Sequence, residues 1–189
     1  MSNKLTITTL LFDDFELLDV FGPLEMFGIA NMIEDSYELK FVSEKGNNTK
    51  SSAGPVSVVD YSFDDDSQSD ILMIPGGMGT RVQVENDVLI NWLMKQCKIA
   101  RIVASVCSGS ALLAKSGVLD GLAATTNKMF FESTSSVSSK VNWQASARWT
   151  KAGNIYTSSG VSAGIDMTLA IIASLHSIEV AEKVAIGAE

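Results

Sequence analysis

The stretch IVASVCSGSALLAKSG, residues 102–117, changes character at Cys107. Before it lies a short apolar run rich in β-branched residues, as in a buried parallel strand. After it come small residues and a helical run, with Gly117 placed to cap it. A strand that turns sharply into a helix is the repeating unit of an α/β sheet, and the turn carries a cysteine. The rest of the chain repeats the alternation. LTITTLLF (5–12) reads as a first strand, and LLDVFGPLEMFGIANMI (17–33) follows at helical spacing, with Gly22-Pro23 near its start. YELKFVSE (37–44) alternates like a strand, KGNNTKSSAGP is a loop by composition, and VSVVDYSF (56–63) is a strand that suits one arm of a hairpin. DDDSQSD (64–70) is an acidic turn that lacks the glycine and closing glutamate of a calcium loop. ILMIPGG (71–77) is a buried strand ending in a glycine turn, and DVLINWLMKQC (87–97) is an amphipathic helix.

Beyond the cysteine segment, MFFESTSSVSS (129–139) suits a helix, and SARWTKAGNIYTSSG (146–160) suits two short strands around Gly153. GIDMTLAIIASLHSIEVAEKVA (164–185) is the longest helical pattern. Strands alternating with helices imply one α/β domain over residues 1–189, its mainly parallel sheet covered on both faces.

Composition narrows the function. Acids outnumber bases 22 to 14, for a net charge of −8, which argues against a nucleic-acid surface. No apolar run reaches the roughly 18 residues of a membrane span. The N-terminus reads as a strand rather than a signal peptide, so Cys97 and Cys107 are expected as reduced thiols in a cytoplasmic protein. With one histidine, His176, and no Cys/His spacing of a zinc site, metal binding has little support.

In such sheets ligands gather at the carboxyl ends of the strands, where Cys107 lies. The strand–nucleophile–helix turn is the geometry of the nucleophile elbow, although V-C-S-G-S is not G-x-S-x-G. A helix N-terminus beginning at Ser108 is expected to favour the thiolate. Position alone leaves open a small buried hydrophobe at Cys107. Cys97 reads as core or surface, and His176 as part of an apolar helix face. Proton transfer then falls to the acids after the first strand, Asp13, Asp14, Glu16 and Asp19. Asp19 stands alone among apolar neighbours, as a helix cap or, buried beside a thiol, as an acid or base of raised pKa. The paired glycines Gly76 and Gly77 suit a backbone approaching a ligand, or a tight turn.

The segments LLDVFGPLEMF, DILMIPGGMGT, IVASVCSGSALLAKSGVLDGLAATT and TSSGVSAGIDMTLAII occur in this order. Together they resemble the ThiJ/PfpI superfamily, and within it the isocyanide hydratase-like branch, over nearly the whole chain. The resemblance implies a flavodoxin-like sandwich, a small-molecule substrate, no metal or organic cofactor, and commonly a homodimer. Carried over by motif, Cys107 is the elbow nucleophile and Asp19, in L-D-x-x-G-P, works with it. Ser108 follows the nucleophile where those enzymes often have threonine. Gly76 and Gly77 turn their backbone to the site, and Ser162 stands beside the pocket, nearest the chemistry. One segment departs: relatives often read A-T-T-H-W where this chain has ATTNKM, placing Asn127 and Lys128 at the histidine and aromatic positions. The implied activity is hydration of an isocyanide. Amidases, proteases, glyoxal-processing enzymes and ligand or redox sensors are the alternatives within the superfamily.

Overall fold

A computed structural model describes residues 4–65 and 69–189. Residues 66–68 of the acidic turn therefore lie outside the described residues. The elements in chain order are β1 (Leu5–Leu10), α1 (Leu17–Glu34), β2 (Tyr37–Ser43), β3 (Thr49–Lys50), β4 (Val56–Ser57), β5 (Tyr61–Ser62) and β6 (Ile71–Ile74). There follow α2 (Thr80–Gln83), α3 (Asp87–Ile99), β7 (Ile102–Ser105), α4 (Gly109–Lys115), β8 (Ala123–Ala124), α5 (Phe131–Ser135) and β9 (Asn142–Trp143). β10 (Trp149–Ala152), β11 (Ile155–Ser158), α6 (Ser162–Leu175) and α7 (Ile178–Gly187) complete the chain.

The main sheet has seven strands in the order β10-β11-β7-β6-β1-β2-β5. Every neighbouring pair is parallel except β10 with β11, a hairpin turned at Gly153. The buried runs β6 and β7 carry an apolar side chain at nearly every position because both sheet faces are covered. Helices α1, α6 and α7 pack together on one face, and α2 to α5 on the other. From β1 the chain steps first to β2 and later returns to β6 on the opposite side of β1. The crevice above β1 and β6 is therefore the topological switch point, where α/β sheets bind ligands. The expected mainly parallel α/β sandwich is the observed one.

Local chemistry explains the details. VSVVDYSF divides, with β4 pairing antiparallel to β3 and β5 joining the sheet edge beside β2. Pro23 sits well inside α1 rather than near its start. Lacking an N–H, it leaves the backbone carbonyl of Asp19 without its helical partner. The long C-terminal pattern breaks at Ser177, whose extended backbone and side chain, accepting from Val180 N, start α7 as a separate helix. His176 ends α6 and pairs its Nε2 with the Tyr37 hydroxyl at 2.7 Å. The length of α6 puts it about 20 Å from the sheet's carboxyl end, so it takes no part in the chemistry there.

Candidate active site

The segments that leave the carboxyl ends of β1, β6, β7 and β11 converge on one point. They bring Asp19, Gly76-Gly77, Cys107-Ser108 and Val161 together.

Cys107 sits at the elbow that the sequence suggests. Its φ is +57°, in the left-handed region that disfavours a side chain by about 1–2 kcal/mol. Surrounding bonds hold it there. Val106 N donates to Ile74 O at 2.9 Å, and Cys107 N to Ser159 O at 2.6 Å. The Cys107 carbonyl accepts from Ser110 Oγ and Thr126 Oγ1. Two glycines let the elbow close. A Cβ at Gly109 would lie 2.5 Å from Ile74 O, and one at Gly76 would lie 2.6 Å from Ser108 N. The elbow and the glycine turn are packed backbone to backbone.

Asp19 is 2% exposed. The Gly76 N–H donates to its Oδ2 at 3.0 Å and the Val161 N–H to its Oδ1 at 3.1 Å. Val161 is itself held at a φ of +43°, an outlier for a β-branched residue. Burial pushes the Asp19 carboxyl up to about 7, with the charge of Glu16 adding to it; the two backbone donors and the Cys107 thiol pull the other way. Burial also pushes the Cys107 thiol up to about 12, and the Asp19 charge adds to that; the Ser108 N–H, the Asn127 amide and the Ser108 hydroxyl oppose it. The expected thiolate, favoured by the helix terminus, is corrected here. α4 starts one residue later and is short, and burial beside a carboxylate outweighs its dipole. Thiol and carboxyl instead form a coupled pair.

Gly77 lines the cavity, as expected of a backbone facing a ligand, but the N–H groups of the glycine turn already have partners. The Gly76 N–H is engaged by Asp19, and the Gly77 N–H donates to Ser108 Oγ at 3.1 Å. Thr80 Oγ1 lies 3.0 Å from the same hydroxyl and donates to Gly77 O at 2.7 Å. Gly76 and Gly77 thus orient the Asp19 carboxyl and the Ser108 hydroxyl. Ser162 is also corrected. It is exposed and accepts from Arg148, which pairs with Asp166. Its neighbour Val161 reaches the site instead. Nothing in the residue type of Val161 marks it out; only its place at the end of β11 does.

A cavity of about 410 Å³ opens over the thiol, a usual size for a small-molecule site. Met78, Val84, Ala111, Phe130, Val137 and Val161 make its wall largely apolar. Glu16, Arg81 and Asn127 are its polar groups besides Ser108, Thr80, Ser133 and Thr134. The Arg81 guanidinium rides over the Phe130 ring at 5.4 Å. Cys97 lies apart on α3, and neither cysteine is in a disulfide.

Comparison with known proteins agrees with this fold. The profile of the DJ-1/PfpI family matches residues 5–174. An isonitrile hydratase of Pseudomonas putida is 27% identical over 185 residues, covering 98% of this chain and 78% of the relative. A transcriptional regulator of the helix-turn-helix type, GbdR of Pseudomonas aeruginosa, is 26% identical over 184 residues; they make up 96% of this chain and only 50% of the regulator. Among solved structures, a ThiJ/PfpI family protein from Pseudomonas syringae superposes with a TM-score of 0.88 at 26% identity, covering 98% of this chain and 75% of that one.

Proposed function

The chain belongs to the DJ-1/PfpI family, and from that footing we propose that it is a cysteine-dependent hydratase converting an isocyanide to an N-substituted formamide. One observation carries the reading: a nucleophile and a proton carrier meet as a coupled pair beneath a largely apolar cavity. An isocyanide needs little more. It offers one electrophilic carbon, few polar atoms and an apolar substituent.

In the resting pair one proton is shared, on sulfur in the dominant form. As the substrate carbon approaches, the thiol proton passes to Asp19 and the sulfur forms a C–S bond. Asp19 then returns that proton to the carbon, giving a thioformimidate on Cys107. The Asp19 carboxylate next takes a proton from water as the water oxygen attacks that carbon, and passes it to nitrogen. Collapse of the tetrahedral adduct forms the C=O bond and breaks the C–S bond. The hydroxyl proton returns through Asp19 to sulfur, so isocyanide plus water leaves as formamide. Hydrogen bonds at both carboxyl oxygens keep Asp19 aimed at the reacting atoms, the positioning that general acid–base catalysis requires.

The assay is formamide formation from cyclohexyl or para-nitrophenyl isocyanide, followed by absorbance and mass. Turnover that disappears in Cys107→Ser supports the reading. Turnover of an amide or a dicarbonyl, with none of either isocyanide, rejects it in favour of another enzyme of the family. A sensing role is the second reading, favoured by the match of nearly the whole chain to half of a regulator. Saturable binding without turnover of any of these compounds would select it.

A further inference from the structure

Asn127 enters the cavity from the loop after β8, and its amide orientation is fixed. Its Oδ1 accepts from Met129 N at 2.9 Å and from Phe130 N at 3.3 Å. The carbonyl oxygen therefore faces its own loop, and Nδ2 is the end of the amide left toward the thiol, in the cavity that both residues line. On the other side Gly160 leaves room for that nitrogen, since a Cβ there would lie 2.6 Å from Nδ2. The neighbouring Lys128 turns away, its Nζ bonded to Thr125 Oγ1 and Ala147 O. The N–H groups of Gly76 and Gly77 are engaged elsewhere. Ser108 and Asn127 are the donors that pull the thiol's pKa down against burial.

We infer that Asn127 is a positioning residue for the nucleophile: its turn-locked amide donates to the Cys107 sulfur, stabilises the anion that forms during attack, and lets the site work without a histidine. This rests on Cys107 as the nucleophile but on no particular substrate. The charged groups facing the sulfur or lining its cavity are Asp19 from α1, Glu16 just before it, and Arg81 from α2 across the cavity. Asn127 differs from all of them in having no titration of its own.

Asparagine here has two tasks, and substitution separates them. Asn127→Asp retains an oxygen for the turn and removes the donor. Asn127→Ser also retains a turn-forming oxygen, is too short to reach the sulfur, and adds no charge. The readout is the rate of iodoacetamide alkylation at Cys107 against pH, resolved by peptide mapping, with thermal unfolding measured alongside. A donor to an anion is a strong hydrogen bond, so each variant should alkylate about tenfold or more slowly at neutral pH. The rise of rate with pH should move to higher pH in both. Wild-type rates in Asn127→Ser, or in both variants, would show that the loop turn is the only task of Asn127 and overturn the inference. Should the aspartate variant fail to fold, the serine variant decides alone. Because no isocyanide is used, failure of the hydratase assay leaves this result readable by itself.

Discussion

Replacing Asp19 by asparagine should make stability less sensitive to pH while removing turnover. In the unfolded chain the carboxyl titrates near 3.8, and in the native site near 7. Below the lower value both states are protonated and the group contributes nothing. Between the two values the unfolded chain gives up its proton and the native protein keeps it, so stability falls as pH rises. Above the upper value the loss is complete, and the difference from 3.8 to about 7 converts to roughly 4 kcal/mol. The asparagine of the variant cannot titrate. Its one carbonyl oxygen leaves either the Gly76 or the Val161 N–H poorly served, at about 1–3 kcal/mol, but that offset does not vary with pH. Urea unfolding of both proteins at about pH 4.5 and about pH 8 isolates the group, because every other titration cancels in the difference. The variant should gain roughly 3 kcal/mol relative to wild type between the two conditions. Turnover should fall by about a hundredfold or more, the usual scale of acid–base catalysis. A constant difference between the two proteins would mean that Asp19 holds no raised-pKa proton, and the mechanism would lose its proton carrier.

The pair as a whole should hold one proton between about 7 and about 12. We expect kcat/KM to drop about tenfold per pH unit below about 7, and to stay level through mildly alkaline pH; a maximum in acid would contradict the one-proton pair. Limiting iodoacetamide should label Cys107 ahead of Cys97: burial pushes both thiols up to about 12, but Cys107 lines the cavity beside Asp19, which can take its proton as the sulfur attacks, and Cys97 lies outside that cavity. Equal labelling would count against the elbow. Gly109→Ala should destabilise the protein by about 2–4 kcal/mol, since its Cβ must displace the backbone oxygens of both Ile74 and Pro75; an unchanged melting temperature would show that the elbow and the glycine turn are not tightly packed.

Much of this was legible in the sequence because the relevant physics is local. Apolar runs that end in glycine or turn residues identify β1, β6 and β7, and with them the carboxyl end of the sheet where Cys107 and Asp19 lie. Cys107 stood out as a reactive side chain at a strand-to-helix turn, Asp19 as an isolated acid on an apolar stretch. What depends on long-range packing was not legible. The Gly76 and Gly77 N–H groups look free until the elbow and α1 fold against them and engage them. Val161 and Ser162 are adjacent in sequence, and only the strained backbone of Val161 decides which reaches the acid. The sequence points to a thiolate at Cys107 because a helix dipole can be read from it, whereas the burial that outweighs the dipole cannot.

The central claim is that the Cys107 sulfur bonds to the carbon of an isocyanide. Its most direct test is intact-protein and peptide mass after acid quench during reaction with para-nitrophenyl isocyanide. Wild type should gain the mass of one isocyanide on the peptide holding Cys107, and Asp19→Asn, lacking the carrier that takes the thiol proton and delivers it to carbon, should gain it far more slowly. Formamide release by Cys107→Ser at the wild-type rate, with no adduct on any protein, would contradict the account.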